Sequence, residues 1–231
     1  MIASRVAAVR ERIARAAARA GRKPDEVTLV AVSKTQPVEA LREAFAAGVR
    51  HFGENKLQEA EDKVALLADL HGKGLVWHMV GHLQSNKARR AAEVFDRVDS
   101  VDGIGVARRL ESGAEGARRH LPVLVQVDLA GEQTKFGLSP ERLSATLEQL
   151  RGSKAIRVDG LMVLPPLFAD PDESRPFFRR LRDLLEQARA QGLVGGSELS
   201  MGMSHDFEAA IEEGATQVRV GTALFGERKK A

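Results

Sequence analysis

The 231 residues contain no cysteine, which removes disulfide staples, thiol nucleophiles and thiolate metal or iron–sulfur sites together. Tyrosine is absent as well, so no phenol can serve as a general acid or base. No apolar run approaches the about 20 residues that span a bilayer, and Met1 leads into an arginine-rich helical stretch rather than the apolar core of a secretory leader. The expected location is the cytoplasm. No Pro/Gly/Ser-rich linker divides the chain, no low-complexity segment occurs, and the six histidines show neither His-x-x-x-His spacing nor paired carboxylates on a common helix, so no metal site is expected. Excess charge of one sign is also lacking. With 35 basic against 32 acidic residues, nothing marks the protein as a partner for nucleic acid.

What is present is a regular alternation. After an N-terminal helix over about residues 2–20, whose Arg5, Arg10, Arg12, Arg15 and Arg19 interleave with Val6, Val9, Ile13 and Ala16 at helical spacing, short β-like runs alternate with helix-like stretches to the end. The strands are expected at Val27–Val32, Val49–Phe52, Leu75–Val80, Arg97–Val101, Pro122–Leu129, Val158–Leu164, Glu198–Ser200 and Gln217–Val220. The intervening helices are expected over Pro37–Ala47, from an Asn55 cap through Leu70, from near Ser85, over Ile104–Glu115, from Ser139-Pro140-Glu141 to Leu150, over Pro171–Gln191, and over Asp206–Glu213 with Gly214 as a stop. Eight β-then-α units predict an α/β fold, a single (β/α)₈ barrel domain over about 27–228 preceded by the extra helix. A doubly wound open sheet uses the same units, but no Gly-x-Gly-x-x-Gly follows the first strand.

Lys34 stands where the first strand ends, in Ala31-Val32-Ser33-Lys34. A strand-end lysine against desolvating walls favours its neutral amine, a nucleophile for aldehydes. An ordinary solvated loop lysine is the plain alternative. Barrel enzymes often hold phosphate in the loops after strands seven and eight, and here those loops read Ser200-Met201-Gly202-Met203-Ser204 and Arg219-Val220-Gly221-Thr222. Their glycines permit close backbone approach, and Ser200, Ser204 and Thr222 supply hydroxyl donors. On strand eight Val218 and Val220 share one face, which leaves Arg219 pointing into the barrel, where it needs an acceptor: a ligand ring nitrogen, or a carboxylate such as Glu54.

Several ordered blocks resemble the pyridoxal phosphate homeostasis protein family: Ala31-Val32-Ser33-Lys34, Phe52-Gly53-Glu54-Asn55 with Gln58-Glu59, Trp77-His78 with Gly81-His82-Leu83-Gln84-Ser85-Asn86-Lys87, Gly160-Leu161-Met162, Leu199 to Ser204, and Arg219-Val220-Gly221-Thr222-Ala223. The resemblance runs from about Val27 to Arg228. It implies a barrel similar to the N-terminal domain of alanine racemase, a monomer holding pyridoxal 5'-phosphate as a Schiff base on Lys34 for intracellular storage and delivery, with apo-enzymes that use this cofactor as transient partners. Carried over, Asn55 lies near the ring, Ser200, Ser204, Gly221 and Thr222 hold the phosphate, and Arg219 faces the pyridine nitrogen. The chain departs from the family pattern at His205, where an acid is usual, and at Phe207, where methionine is usual; Lys56 receives no role.

A permanently protonated guanidinium can only donate, so the ring nitrogen it meets stays unprotonated and the ring is a poor electron sink. Racemases of this arrangement compensate with a lysine and a tyrosine on opposite faces of the substrate. This chain has no tyrosine, and His78 and His82 are its only substitute acids or bases near the third strand. No robust catalytic turnover is therefore expected. The alternatives are a pyridoxal-phosphate racemase or decarboxylase of unknown substrate, and a lysine-dependent aldolase acting on a phosphosugar. Lys135, after the fifth strand, is a candidate transient acceptor of the aldehyde.

Overall fold

The computed structural model describes residues 1–131 and 136–227. Eight parallel strands close into a barrel in sequence order: β1 Thr28–Val32, β2 His51–Glu54, β3 Val76–Met79, β4 Arg97–Val101, β5 Leu121–Val127, β6 Ile156–Val163, β7 Glu198–Met203 and β8 Gln217–Val220. The helices are α1 Ile2–Arg19, α2 Val38–Ala46, α3 Leu57–Leu66, α4 Ala68–His71, α5 Ala88–Val94, α6 Ile104–Gly116, α7 Pro140–Leu150, α8 Arg175–Ala190, α9 Phe207–Glu212 and α10 Thr222–Phe225. The expected (β/α)₈ class and the extra N-terminal helix are both present. Lys135 lies outside the described residues.

The eighth unit explains why α1 is needed. Its helix, α10, has four residues, too few to cover a barrel flank about 11–12 residues long in an average helix. Helix α1 takes up that flank, packing against α2, α9 and α10. It buries Val6, Val9, Ile13, Ala16 and Ala17, the stripe that the sequence spacing predicted. Burial of the three branched side chains is worth of order 6 kcal/mol before ordering entropy is subtracted. On its wet edge Arg12 bonds Glu208 at 2.8 Å and lies 4.4 Å over the Phe207 ring.

Three boundaries differ from the sequence expectation for physical reasons. Val49 looks like strand but belongs to the end of α2: its N–H reaches back to the Ala44 carbonyl and that of Gly48 to Phe45, with Gly48 at φ 93°, the double closure of a Schellman motif. Strand β2 therefore begins at His51. Asn55 does not cap the next helix, which starts at Leu57 with Lys56 in the cap position. Asn55 is held at the strand end because the chain at Gly81 presses on it, so closely that a Cβ there would lie 2.4 Å from the Asn55 carbonyl oxygen. Strand β7 runs on to Met203 across a register shift, made possible by Gly202 at φ 89°, where a Cβ would also sit 2.5 Å from that of Ala210.

Large apolar side chains such as Trp77, Phe52, Phe95 and Phe178 fill the layer between strands and helices. Polar side chains occupy the barrel axis: His51, His78, Asp99, Ser200, Gln217 and Arg219 bond to one another across it.

Candidate cofactor site at the C-terminal mouth

Lys34 emerges just past the C-terminal end of β1, half-buried. The backbone immediately after it is strained: Thr35 has φ 64°, a left-handed conformation that a β-branched residue adopts only when its surroundings enforce it. The enforcing group is a cluster between the ends of β1 and β2 and helix α3. Buried Lys63 on α3 donates to the Ser33 carbonyl, Glu54 Oε1 and Glu59 Oε1, each at 2.7 Å. Glu59 accepts the Thr35 N–H, and Ser33 Oγ donates to Glu54 Oε1 at 2.6 Å. The two residues flanking Lys34 are thus fixed by one ammonium and two carboxylates. Burial pushes the Glu54 carboxyl above its usual range, and its bonds to Lys63 and Ser33 pull it back only in part.

Lys34 shares a small cleft with Val32, Gln36, Gly221, Thr222 and Gly226. The lysine and the loop after β8 therefore meet, as the sequence required. At Gly221 an added Cβ would find only ordinary contacts with Val32, at 3.4 and 3.7 Å. Packing does not demand glycine there; its absent side chain leaves room beside the lysine. Ser204 Oγ accepts the N–H groups of Gly221 and Ala223 at 3.2 and 3.3 Å, so Ser204, Gly221 and Thr222 are gathered at one place. Asp206 fixes this turn by accepting the Met203 N–H at 2.7 Å. The two departures from the family pattern turn elsewhere: His205 Nε2 meets the Ala169 carbonyl at 3.2 Å, and Phe207 is buried under Arg12.

Ser200 is not with Ser204. It is fully buried on the axis, where its Oγ accepts from Arg219 Nη1 at 2.6 Å and Gln217 Nε2 at 3.0 Å. Arg219 points inward, as the alternation on β8 predicted, and Nη2 donates to the Val163 carbonyl at 2.8 Å. The expected carboxylate alternative fails: Glu54 bonds Lys63 and Ser33 instead, because the strand alternation sends its side chain toward α3. Burial draws the Arg219 guanidinium down to about 10 while Asp99 and Asp206 oppose the shift, so it is a cation at neutral pH. Two bonds to neutral oxygens do not exhaust its five N–H groups.

Asn55 borders a cavity of about 610 Å³ between the loops after β2 and β3, with Lys56, Met79, His82 and Lys87 among its walls. His82 stacks on Phe136 with centroids 3.5 Å apart and bonds Asp102 at 2.9 Å. His78 is buried on the axis between Asp99 and His51, the packed and hydrogen-bonded role that a histidine beside Trp77 suggests. Sequence reasoning missed Lys63 and Asp99. The signal for Lys63 was its i,i+4 spacing from Glu59; Asp99 carries none, since a lone acid in a five-residue strand reads as surface.

The donor set at this mouth suits a phosphorylated aromatic aldehyde: an amine beside a loop of small residues, and an inward cation for a ring acceptor. The N-terminal domain model of alanine racemase matches residues 5–229. The pyridoxal phosphate homeostasis protein of Pseudomonas aeruginosa is 49% identical over 98% of this chain and 96% of its own length. The structure of PipY from Synechococcus elongatus, solved with pyridoxal phosphate bound, superposes with a TM-score of 0.87 at 43% identity, covering 98% of this chain and all of that one. Alanine racemase of Corynebacterium glutamicum, at 19% identity and a TM-score of 0.71, shares the barrel, with 61% of its chain covered. The chain belongs to the alanine racemase N-terminal domain family and, within it, to the pyridoxal phosphate homeostasis proteins.

Proposed function

We propose that this protein binds pyridoxal 5'-phosphate at the C-terminal mouth of its barrel and serves intracellular homeostasis of that cofactor, storing and delivering it, without robust turnover of its own. The observation that carries the reading is the shared cleft of Lys34, Gly221 and Thr222 in a chain whose relatives bear that name and whose structural neighbour binds that ligand. When bound, the cofactor supplies an aldehyde, which the Lys34 amine takes up with loss of water.

This chain's residues divide the work. The Lys63 cluster holds the turn that aims Lys34. Ser204, Thr222 and the backbone at Gly221 receive the phosphate, the Ser204 hydroxyl turning from the two amides it now accepts. Asn55 lies against the ring. Arg219 meets the ring nitrogen as a donor and keeps the proton on its own side, while Ser200 supports Arg219 from below rather than touching phosphate. The reading of weak turnover rests on the acid–base inventory: tyrosine is absent, His78 is committed to Asp99 and His51 below the mouth, and His82 is held by Asp102 and the Phe136 ring. No helix among the described residues is long and apolar enough to cross a membrane. The reading further takes the protein as a monomer acting in the cytoplasm, with apo-enzymes as its transient partners.

An absorbance titration tests the proposal. Wild-type protein should turn yellow on saturation and give up its cofactor to an apo-enzyme, Lys34→Ala should do neither, and L-alanine should not be racemised. A colourless protein that instead traps a phosphosugar on borohydride treatment would establish the aldolase alternative, and brisk racemisation the enzyme alternative.

A further inference from the structure

The barrel axis carries a continuous polar column. From the N-terminal mouth upward, His51 Nδ1 meets His78 Nε2 at 2.9 Å, His78 Nδ1 meets Asp99 Oδ2 at 2.8 Å, and Gln217 Nε2 donates to Asp99 Oδ2 at 2.6 Å and to Ser200 Oγ at 3.0 Å. Arg219 Nη1 closes the upper end on Ser200 Oγ at 2.6 Å. The five strands β2, β3, β4, β7 and β8 contribute its six members, so the column exists only when the barrel is closed.

From Asp99 upward its polarity is settled by the chemistry of its members. A guanidinium and an amide nitrogen can only donate, so Ser200 Oγ is an acceptor from both sides, and Asp99 is the acceptor on which the chain ends. Asp99 is fully buried. Burial alone would raise its carboxyl, but the charges and bonds of His78, Arg97 and Gln217 outweigh it and hold the group below the usual carboxylate range. The groups facing Asp99 from the packed elements are His51 on β2, His78 on β3, Arg97 on its own strand at 3.8 Å, and Gln217 and Arg219 on β8; Asp159 on β6 and Glu198 on β7 reach it through Arg97. Arg97 is shared among three acids, and it is Gln217 and Ser200 that connect Asp99 to the mouth.

Arg219 in turn has a problem that the column answers. A buried guanidinium bonded to a hydroxyl and a carbonyl has no compensating charge in direct contact; Asp99, and more weakly Asp206, supply it from a distance, and of the two it is Asp99 that the column ties to Arg219. We propose that Asp99 is the positioning anion for Arg219: it pins the Gln217 amide, which shares the Ser200 oxygen with the guanidinium, and its charge acts on Arg219 through the barrel interior, so that the guanidinium stays on the axis, aimed at the ring nitrogen of the bound cofactor. Asp99, Gln217 and Ser200 are then positioning residues, acting through Arg219. The inference rests on the pyridoxal phosphate reading given above.

The test binds pyridoxal phosphate carrying ¹⁵N in its ring to wild type, Asp99→Asn and Gln217→Met, and reads the ring-nitrogen shift, the affinity and the attachment point after borohydride reduction. Wild type should show an unprotonated, hydrogen-bonded ring nitrogen and a phosphopyridoxyl group on Lys34. Both variants should still be labelled on Lys34, with a displaced ring-nitrogen resonance and about tenfold weaker affinity, the scale of one charge-assisted hydrogen bond. Wild-type values of both in folded variants would overturn the inference while leaving the cofactor reading standing. Failure of wild type to take the cofactor on Lys34 would sink that reading and the inference with it. Should a variant not fold, wild type alone decides: Arg219 guanidinium N–H resonances that are resolved and slow to exchange support the column, and resonances averaged with the surface arginines refute it.

Discussion

Replacing Lys63 by methionine removes the ammonium that three acceptors share while keeping most of the side-chain volume. Glu54 is left with one oxygen bonded to Ser33 Oγ at 2.6 Å and the other, Oε2, buried without a hydrogen bond. Breaking a buried ion pair from one side costs about 3–5 kcal/mol. The lower end applies, because Glu59 is partly exposed and Glu54 can escape by taking a proton. A loss of about 3 kcal/mol at pH 8, or about 6–12 °C in Tm for a chain of this size, is the expectation. The pH dependence is the sharper signature. Burial already lifts the Glu54 carboxyl, and without Lys63 it rises further. A carboxyl whose folded pKa lies above its unfolded value stabilises the fold fully below the unfolded value, and that contribution is lost as pH rises through the folded value. The deficit of Lys63→Met should therefore be small near pH 5 and grow toward pH 8, and the affinity for pyridoxal phosphate should fall as the Thr35 turn relaxes. Urea unfolding of both proteins at the two pH values measures this. A deficit under about 1 kcal/mol at pH 8, or one equal at both pH values, would refute the assignment of Lys63 as the clamp.

Three further outcomes are expected. Burial, reinforced by His78 and Arg97, lowers His51 to about 4; the unfolded chain then binds the proton first, so stability should decline as pH falls from about 6.5 to about 4 by of order 2 kcal/mol, allowing for partial exposure of the ring, and urea unfolding of His51→Gln over that range should show a shallower decline. Gly202→Ala must place a Cβ 2.5 Å from that of Ala210 at φ 89° and should lose about 2–4 kcal/mol, a shift in Tm that calorimetry would register. Arg219→Met breaks the buried bonds to Ser200 Oγ and the Val163 carbonyl and takes from Asp99 the cation the column couples to it, so stability should fall by about 1–3 kcal/mol while cofactor affinity drops more than tenfold, which parallel unfolding and absorbance titrations measure.

Much of this was legible in the sequence because it is local. Alternating β and α units, the α1 stripe, the inward face of β8 and the small residues after β7 and β8 follow from periodicity and composition, and the site gathers at the mouth because a closed barrel brings all strand ends together. Local reading failed where a residue's role is set by partners far along the chain. Val49 has strand propensity but closes a helix; Glu54 was offered to Arg219 across the barrel but faces α3; Ser200 was grouped with Ser204 by proximity in sequence, although a bulge between them turns one inward and the other to the loop after β8. The axial column is the extreme case. Asp99 and Gln217 lie 118 residues apart, and no pattern within either strand signals that they meet.

The central claim is that the Lys34 amine is where the aldehyde is held. Borohydride reduction of the complex with pyridoxal phosphate, followed by proteolysis and mass measurement of the peptides, tests it most directly. The account predicts one phosphopyridoxyl increment, on the peptide containing Lys34, and none on that peptide when Lys34 is alanine. A stoichiometric increment on any other lysine, with Lys34 unmodified, would contradict it.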